Sequence, residues 1–550
     1  MEILYMTRDN ILNKKLYEKG VKNLDNVLAK MGYEALRPGQ DEAIHSILGG
    51  RDVICFMPTS FGKSAIYQIP TTCLEWNALI FSPLLSLIQD QVEKLQDMNM
   101  HAGQVSSNQS EAENNLTLSD WELGELNFLF AAPEKLSNER FIRTMTKKKP
   151  DMVVIDEAHC ISSWGTSFRP SYQDIGTFVN LFKPTTVLAM TATKTEEVEQ
   201  DIRKSLGIDG SSLVSYFPKR DNLSFKSTMY SMHSLKRVIN ETEGSTIVYS
   251  ASVKETESLF NHLRNSVEGG ATIYHGSMAS AERTSNQSTF MGGRVRVMFA
   301  TKAFGMGIDK SDIRCIIHKG YVSSLEDYAQ ETGRAGRDGN PSVCWFLYDE
   351  DSISTQRWFI ENQYPPKFLF NKVFDYVNKR KDKYGSCQVL VSEVSKFLNV
   401  HDGAVSACLN IMSQAGVVER KKTSGKLFKT KVLKEHINEK FASILEAISD
   451  FGIMGDDGFY EADMEAIATT VGIKSTTLRT KLRDLDKDGY IIFVPPFRGV
   501  PTKVISDLSK IDFDGLQKKA ALELGKLNHV RDFLNTDDNE KGVFLHNYFK

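Results

Sequence analysis

Cysteine is sparse in this 550-residue chain. Its seven cysteines (Cys55, Cys73, Cys160, Cys315, Cys344, Cys387 and Cys408) are scattered, and no two are spaced as CxxC. Several lie in apolar runs, where a cysteine is a small buried hydrophobe. The pattern therefore predicts no disulfide framework and no structural zinc, and it suits a reducing intracellular compartment. Long apolar runs are missing as well. None approaches the ~18 residues of a membrane span, and the longest, Ala78 to Ile88, is broken by Ser82-Pro83. The first residues carry Glu2, Arg8 and Asp9 without a signal-peptide pattern, so a soluble chain with no membrane partner is expected. Nor does charge of one sign dominate: 67 basic residues face 70 acidic ones, for a net charge of -3. Any nucleic-acid site must then be a local patch. The length allows three or four domains with large cores.

Buried strands and small-residue loops are abundant in the first part. Residues 1 to 30 read as an amphipathic helix, followed by the turn-rich MGYEALRPGQ, Met31 to Gln40. DVICFM (Asp52 to Met57) reads as a buried strand running into PTSFGKS (Pro58 to Ser64) and then a helix. Strand, small-residue loop, Gly-Lys-Ser and helix make a P-loop. Amides of Thr59, Ser60, Phe61 and Gly62 and the helix N-terminus would meet phosphates, Lys63 would neutralise the outer ones, and the Ser64 hydroxyl would reach Mg2+. Met57 stands where the usual pattern has its first glycine. ALIFS (Ala78 to Ser82), FLFAAPE (Phe128 to Glu134), MVVI (Met152 to Ile155) and VLAMTAT (Val187 to Thr193) complete five strands separated by helical patterns, which predicts a parallel, helix-covered sheet.

The stretch Met152 to Pro170, MVVIDEAHCISSWGTSFRP, is the richest in chemistry. Asp156 and Glu157 fall at a strand's carboxyl end, where ligands of open α/β sheets bind. Asp156 suits a metal-bound phosphate and Glu157 an attacking water. Trp164, Phe168 and Arg169 follow within about a dozen residues, and aromatics beside an arginine suit stacked nucleic-acid bases. One loop could sense both ligands.

A second set of strands follows without a P-loop: TIVYS (Thr246 to Ser250), ATIYH (Ala271 to His275), VRVMFAT (Val295 to Thr301), IRCIIH (Ile313 to His318) and VCWFLY (Val343 to Tyr348). KAFGMGIDK (Lys302 to Lys310) has glycines that permit close backbone approach to a ligand. In YAQETGRAGRDG (Tyr328 to Gly339), read as helical, Arg334 and Arg337 would share one face and could act on a transferred phosphoryl group as arginine fingers do. Two stacked α/β lobes, one holding ATP and the other supplying arginines, describe a motor.

These blocks, over about residues 24 to 350, resemble in order the RecQ family of superfamily 2 DNA helicases. MGYEALRPGQ, MPTSFGKS, FSPLLSLIQDQ, IDEAHCISSWGTSFRP, MTAT, YHGSM, ATKAFGMGIDK and QETGRAGRDG each match a family block. The aromatic-rich loop after DEAH is the family's mark. The resemblance implies two tandem RecA-like parallel-sheet lobes, then a mainly helical C-terminal region with winged-helix domains. It also implies ATP with Mg2+, the metal held by Ser64 and Asp156. Tyr33, Arg37 and Gln40 would recognise adenine; Asp309, Gln330, Arg334 and Arg337 would complete the nucleotide site. His159, Trp164, Phe168 and Arg169 would couple single-stranded DNA to hydrolysis, with movement 3′ to 5′. Ser60-Phe61 departs from the family's glycine run and places a bulky side chain beside the phosphates.

In the last two hundred residues the family's zinc-binding unit has too few cysteines to form, since none follows Cys408. LNHVRDFLNTDDNEKGVFLHNYFK at the end is similar to its helical hairpin without those cysteines. An internal repeat is clearer: Val394, Val400, Leu409, Met412 and Gly416 align with Ile467, Ile473, Leu482, Leu485 and Gly489 at a constant offset of 73 residues. Helix, turn, helix, glycine and apolar strand predict a winged helix, twice. ERKKTSGKLFKTK (Glu419 to Lys431) reads as a cationic β-hairpin wing, with Arg420, Lys421, Lys422 and Lys426 on phosphates. The second wing, FVPPFRGVP from Phe493, is apolar and proline-rich and suits packing or a partner. The expected domains are 1–208, 209–350, 351–434, 435–508 and a helical segment 509–550. A monomeric DNA helicase on single-stranded and forked or tailed duplex DNA is the leading expectation. A translocase or annealing remodeller, or a winged-helix DNA binder with an idle ATPase, would share these residues, although intact Lys63, Asp156, Glu157 and Arg337 argue against idleness.

Overall fold

A computed structural model describes residues 8–58, 61–83, 85–162, 169–305, 310–381, 386–420, 427–433, 439–455, 458–494 and 500–549. The chain forms two compact units, residues 1–356 with 523–550, and residues 357–522.

The first unit holds two parallel sheets. In lobe 1, strands β1 (Val53–Phe56), β2 (Ala78–Phe81), β3 (Ala102–Val105), β4 (Phe128–Ala131), β5 (Met152–Ile155), β6 (Thr186–Thr191) and β7 (Ser212–Ser215) lie in the order β3-β4-β2-β5-β6-β1-β7. Every pairing between neighbours is parallel. The inner strands are apolar throughout because helices cover both faces. Val53 and Cys55 enter one core with Ile80 and Val154, whereas Ile54 and Phe56 enter the opposite core with Phe81 and Ile155. Lobe 2 has β8 (Leu223–Met229), β9 (Ser245–Ser250), β10 (Ala271–Tyr274), β11 (Val297–Ala300), β12 (Ile313–Lys319) and β13 (Ser342–Tyr348), in the order β10-β11-β9-β12-β13-β8. Beyond the five strands expected in each lobe there are therefore three more, β3, β7 and β8. All three are edge strands with small or polar residues (AGQV, SLVS, LSFKSTM), so they lack the continuous apolar run of an inner strand.

Residues 523–550 join this first unit. Val530, Phe533, Leu534, Leu545 and Phe549 complete the lobe 2 core beside Phe225 and Tyr328. Phe549 stacks on Phe217 of the segment between the lobes, centroids 5.1 Å apart and planes 16° apart.

The second unit contains both copies of the repeat, and its helices keep the offset. Val391–Leu398 and Asp402–Gln414 correspond to Met464–Thr470 and Ser475–Lys487. Val394, Leu409 and Met412, like Ile467, Leu482 and Leu485, are buried. Gly416 and Gly489 have left-handed φ values of 68° and 69°, which a glycine adopts without strain. The cationic hairpin does not form as expected. Strand β15 (Val418–Arg420) pairs with β20 (Val500–Val504) in a sheet with β14 (Ser386–Val389). Strand β16 (Leu427–Val432) pairs instead with β18 (Tyr460–Asp463) and β19 (Ile491–Val494), in a sheet that includes β17 (Ile453–Met454). The two expected arms of one wing thus belong to different sheets, and the second winged unit is inserted into the first. Cys387 and Cys408 are buried in the apolar core of this unit. No described helix is long and apolar enough to cross a membrane.

Candidate active site

The helix Lys63–Leu74 starts directly after β1 and the phosphate loop. Gly62 precedes it at φ 82°, and a Cβ there would stand 2.6 Å from Gln40 Nε2. The loop is held from outside: Gln40 Nε2 donates to the carbonyls of Phe61 and Gly62, both at 3.0 Å, and the Arg37 amide donates to Gln40 Oε1 at 2.9 Å. Phe61 packs on Tyr216, centroids 5.2 Å apart, and beneath the Arg37 guanidinium at 5.5 Å. Lys63 Nζ lies 3.4 Å from the Met57 carbonyl, and the Ser64 hydroxyl donates to Gln91 Oε1 at 2.9 Å. Thr59 and Ser60 lie outside the described residues.

Asp156 and Glu157 follow β5. The Asp156 amide donates to the Phe81 carbonyl on β2, and the Tyr172 hydroxyl donates to the Asp156 carbonyl. Burial, then the neighbouring Glu157, push the Asp156 carboxyl above its ordinary range, and Lys63 opposes them. Glu157 is buried and left-handed at φ 50°, a conformation that costs a non-glycine residue about 1 kcal/mol or more. Its Oε2 lies 3.3 Å from His159 Nδ1 but accepts no hydrogen bond. The imidazole instead bonds Thr191 Oγ1 at 2.8 Å, and burial lowers its pKa, keeping it neutral. Arg169 donates to the Pro83 carbonyl at 2.9 Å. Trp164 and Phe168 lie outside the described residues, as does Asp309.

Lobe 2 supplies the facing wall. The helix Leu325–Thr332 ends at Gly333, so Arg334 and Arg337 sit in turns and not on the helical face expected from their spacing. Gly336 has φ 56°, incompatible with a continuing right-handed helix, and a Cβ there would lie 2.5 Å from Asn222 Nδ2. Arg220 and Asn222 brace this turn, Arg220 through the Ala335 and Gly336 carbonyls at 2.9 and 3.0 Å, Asn222 through Gly336 at 2.9 Å. Arg334 is 3% exposed, donates to the Gly305 carbonyl and leaves Nε without a hydrogen-bond partner. The turn still places both arginines on the cavity that the phosphate loop lines. One cavity of about 520 Å³ is lined by Tyr33, Lys63, Ser64, Asp156 and Glu157 from lobe 1 and by Gln330, Arg334 and Arg337 from lobe 2.

Comparison with known proteins shows the family. Residues 37–201 match the DEAD/DEAH box helicase family and residues 230–339 the helicase conserved C-terminal domain. The chain is 41% identical over 338 residues to the ATP-dependent DNA helicase RecQ of Bacillus subtilis, covering 60% of this chain and 56% of that protein. With the probable ATP-dependent DNA helicase RecS of the same organism it shares 34% over 336 residues, 60% of this chain and 67% of that protein. The chain belongs to the RecQ family of superfamily 2 helicases. A longer match, 30% over 495 residues, is to the ATP-dependent DNA helicase Q-like 5 of Arabidopsis thaliana, covering 86% of this chain and 54% of that protein. The chain spans little more than half the length of the first of these relatives. Among solved structures, S. cerevisiae Dbp5 bound to Gle1 and IP6 aligns with a TM-score of 0.50 at 18% identity, covering 61% of this chain and 90% of that one, a likeness of fold alone.

The residues fit the nucleotide and metal of this family. The Gly62 cradle leaves no room for a side chain, Arg334 has an unpaired donor, and Glu157 an unpaired acceptor. Ser64 and Asp156, a hydroxyl and a carboxylate on the same cavity, are hard oxygen donors suited to Mg2+. Gln91, Thr191, Arg220 and Asn222 were not foreseen individually. Gln91 and Thr191 lie in matched blocks, whereas Arg220 and Asn222 lie between lobes in a stretch without motif. Of the basic residues expected on DNA, Arg420 ends β15 and donates to Asn410 Oδ1 at 2.8 Å. Lys421, Lys422 and Lys426 lie outside the described residues.

Proposed function

We propose that the chain is an ATP- and Mg2+-dependent DNA helicase that moves 3′ to 5′ along single-stranded DNA and opens tailed duplexes. The observation that carries this reading is the single cavity that joins the phosphate loop, Asp156 and Glu157 to the arginine turn. Tyr33, Arg37 and Gln40 hold the adenine end, and the amides from Thr59 to Gly62 cradle the phosphates. Ser64 and Asp156 hold Mg2+, with Asp309 and Gln330 completing the nucleotide's surroundings. The metal held there would supply positive charge against the phosphate oxygens. Glu157 accepts a hydrogen bond from the attacking water and orients it in line. Lys63, Arg334 and Arg337 stabilise charge spreading over the transferred group.

Because the cavity is built from both lobes, loss of the outer phosphate removes the anion that draws the arginine turn to the phosphate loop. Cycles of hydrolysis then alternate closed and open lobes. His159, Trp164, Phe168 and Arg169 follow Glu157 in sequence and link the strand to that cycle. The relatives named as DNA helicases support DNA as the substrate. Unwinding of a 3′-tailed but not a 5′-tailed duplex, dependent on ATP and abolished in Lys63→Ala, tests the proposal. ATPase stimulated by single strands without unwinding would make the protein a translocase instead. Trp164→Ala should lose DNA stimulation of hydrolysis while keeping basal turnover; equal loss of both would make the loop merely structural.

A further inference from the structure

The second unit carries a surface that neither the motor nor the repeat explains. Helix Lys367–Lys379 buries Leu369, Phe370, Val373 and Val377. Phe368, Lys372, Tyr376 and the capping Arg380 succeed one another at spacings of four, so aromatic and cation alternate down one stripe, with Phe368, Lys372 and Arg380 exposed and Tyr376 half-buried against the core. Phe368 and Tyr376 lie about 12 Å apart along the axis at the helical rise. Lys372 Nζ stands 5.5 Å from the Phe368 ring, and the Arg380 guanidinium 3.8 Å from the Tyr376 ring. The neighbouring helix Val391–Leu398 adds Phe397, whose ring is 5.2 Å from Tyr376 and 4.9 Å from Arg380. Phe368 is 58% exposed and Phe397 63%, although either ring would gain by burial in the core beneath.

We propose that this stripe is a stacking platform for single-stranded DNA, separate from the loop after Glu157. Exposed rings held in place by cations offer π-faces to bases, and the cations meet the phosphates between them. Charge favours this occupant: Lys372 and Arg380 lie against the rings, and Lys379 and Lys396 are close to them in sequence, against Asp375 and Glu393. A protein partner would use aromatics and arginine too, but lysine is depleted at such interfaces. Sequence preference is expected to be slight, because every base has a π-face. The identity of the strand as DNA rests on the helicase reading; the platform's geometry does not.

The test is direct binding of the full chain, without nucleotide, to oligo(dT) and to an abasic strand of the same length. The Phe368→Ala/Phe397→Ala variant is expected to bind oligo(dT) about tenfold or more weaker, the usual effect of losing a base–aromatic stack. Its affinity for the abasic strand and its basal ATPase should be unchanged. Lys372→Ala should bind less tightly with a shallower salt dependence. Phe397→Tyr should restore binding where Phe397→Leu does not. Unchanged oligo(dT) affinity in the double variant would overturn the platform and leave the surface to a protein partner. Equal losses on oligo(dT) and the abasic strand would overturn base stacking. Absence of DNA-stimulated ATPase in the wild type would refute the motor instead, and the binding comparison would stand apart from that result.

Discussion

Phe61 is the bulkiest side chain in PTSFGKS, and its contacts allow the consequence of removing it to be worked out. The ring is half-buried between Tyr216 and Arg37. An aromatic pair adds about 0.5–1.5 kcal/mol and a partly exposed cation–π contact about 0.5–1 kcal/mol. Glycine in its place would release backbone freedom of roughly 0.5–1 kcal/mol. Partial exposure favours the lower ends, so Phe61→Gly should cost the ordered loop about 1.5 kcal/mol, about tenfold in its population. That loop must be ordered to present its amides, so the penalty falls on nucleotide binding more than on chemistry. The KM for ATP in the DNA-stimulated ATPase is expected to rise about tenfold with kcat changed much less, and Phe61→Leu should fall between. An unchanged or lower KM in Phe61→Gly would refute the reasoning and show that the ring obstructs the phosphates.

Two other outcomes follow from the geometry. Burial and Glu157 raise the Asp156 carboxyl, so Mg2+-dependent ATP binding should fade as pH drops, at values above the ordinary carboxylate range. Removing one raising influence in Glu157→Gln should move that acid limb to lower pH in an equilibrium binding titration; an unmoved limb would count against the coupling of the two carboxyls. Gly176 lies in the helix Pro170–Phe182, and a Cβ there would clash with the Ser205 carbonyl oxygen. Gly176→Ala should therefore destabilise lobe 1 by about 1–3 kcal/mol, visible as a lower midpoint in urea unfolding, and wild-type stability would contradict this packing.

The inner strands were legible because burial on both faces leaves a chain little choice but continuous apolar residues, as in Met152–Ile155. Edge strands such as Ala102–Val105 and Leu223–Met229 were not, because glycine, glutamine, serine and lysine interrupt their apolar runs. The winged repeat was visible because its buried positions and its glycines with positive φ recur in register. Strand exchange between the winged units was invisible: β16 and β20 carry no mark of which sheet they join. Spacing alone put Arg334 and Arg337 on a helix; only the backbone of Gly336 and the bracing by Arg220 show a turn. Arg220 and Asn222 brace the site through main-chain carbonyls, which leave no pattern in side-chain type.

The central claim is that lobe 2 completes the site built by the phosphate loop and the acidic pair. The most direct measurement is the rate of ATP hydrolysis, with saturating single-stranded DNA, by wild-type protein and Arg337→Ala. Loss of an arginine that stabilises the transferred phosphoryl group costs about 10³-fold or more. The account predicts a collapse of that size in turnover with ATP still bound. Turnover within a few-fold of wild type would contradict it.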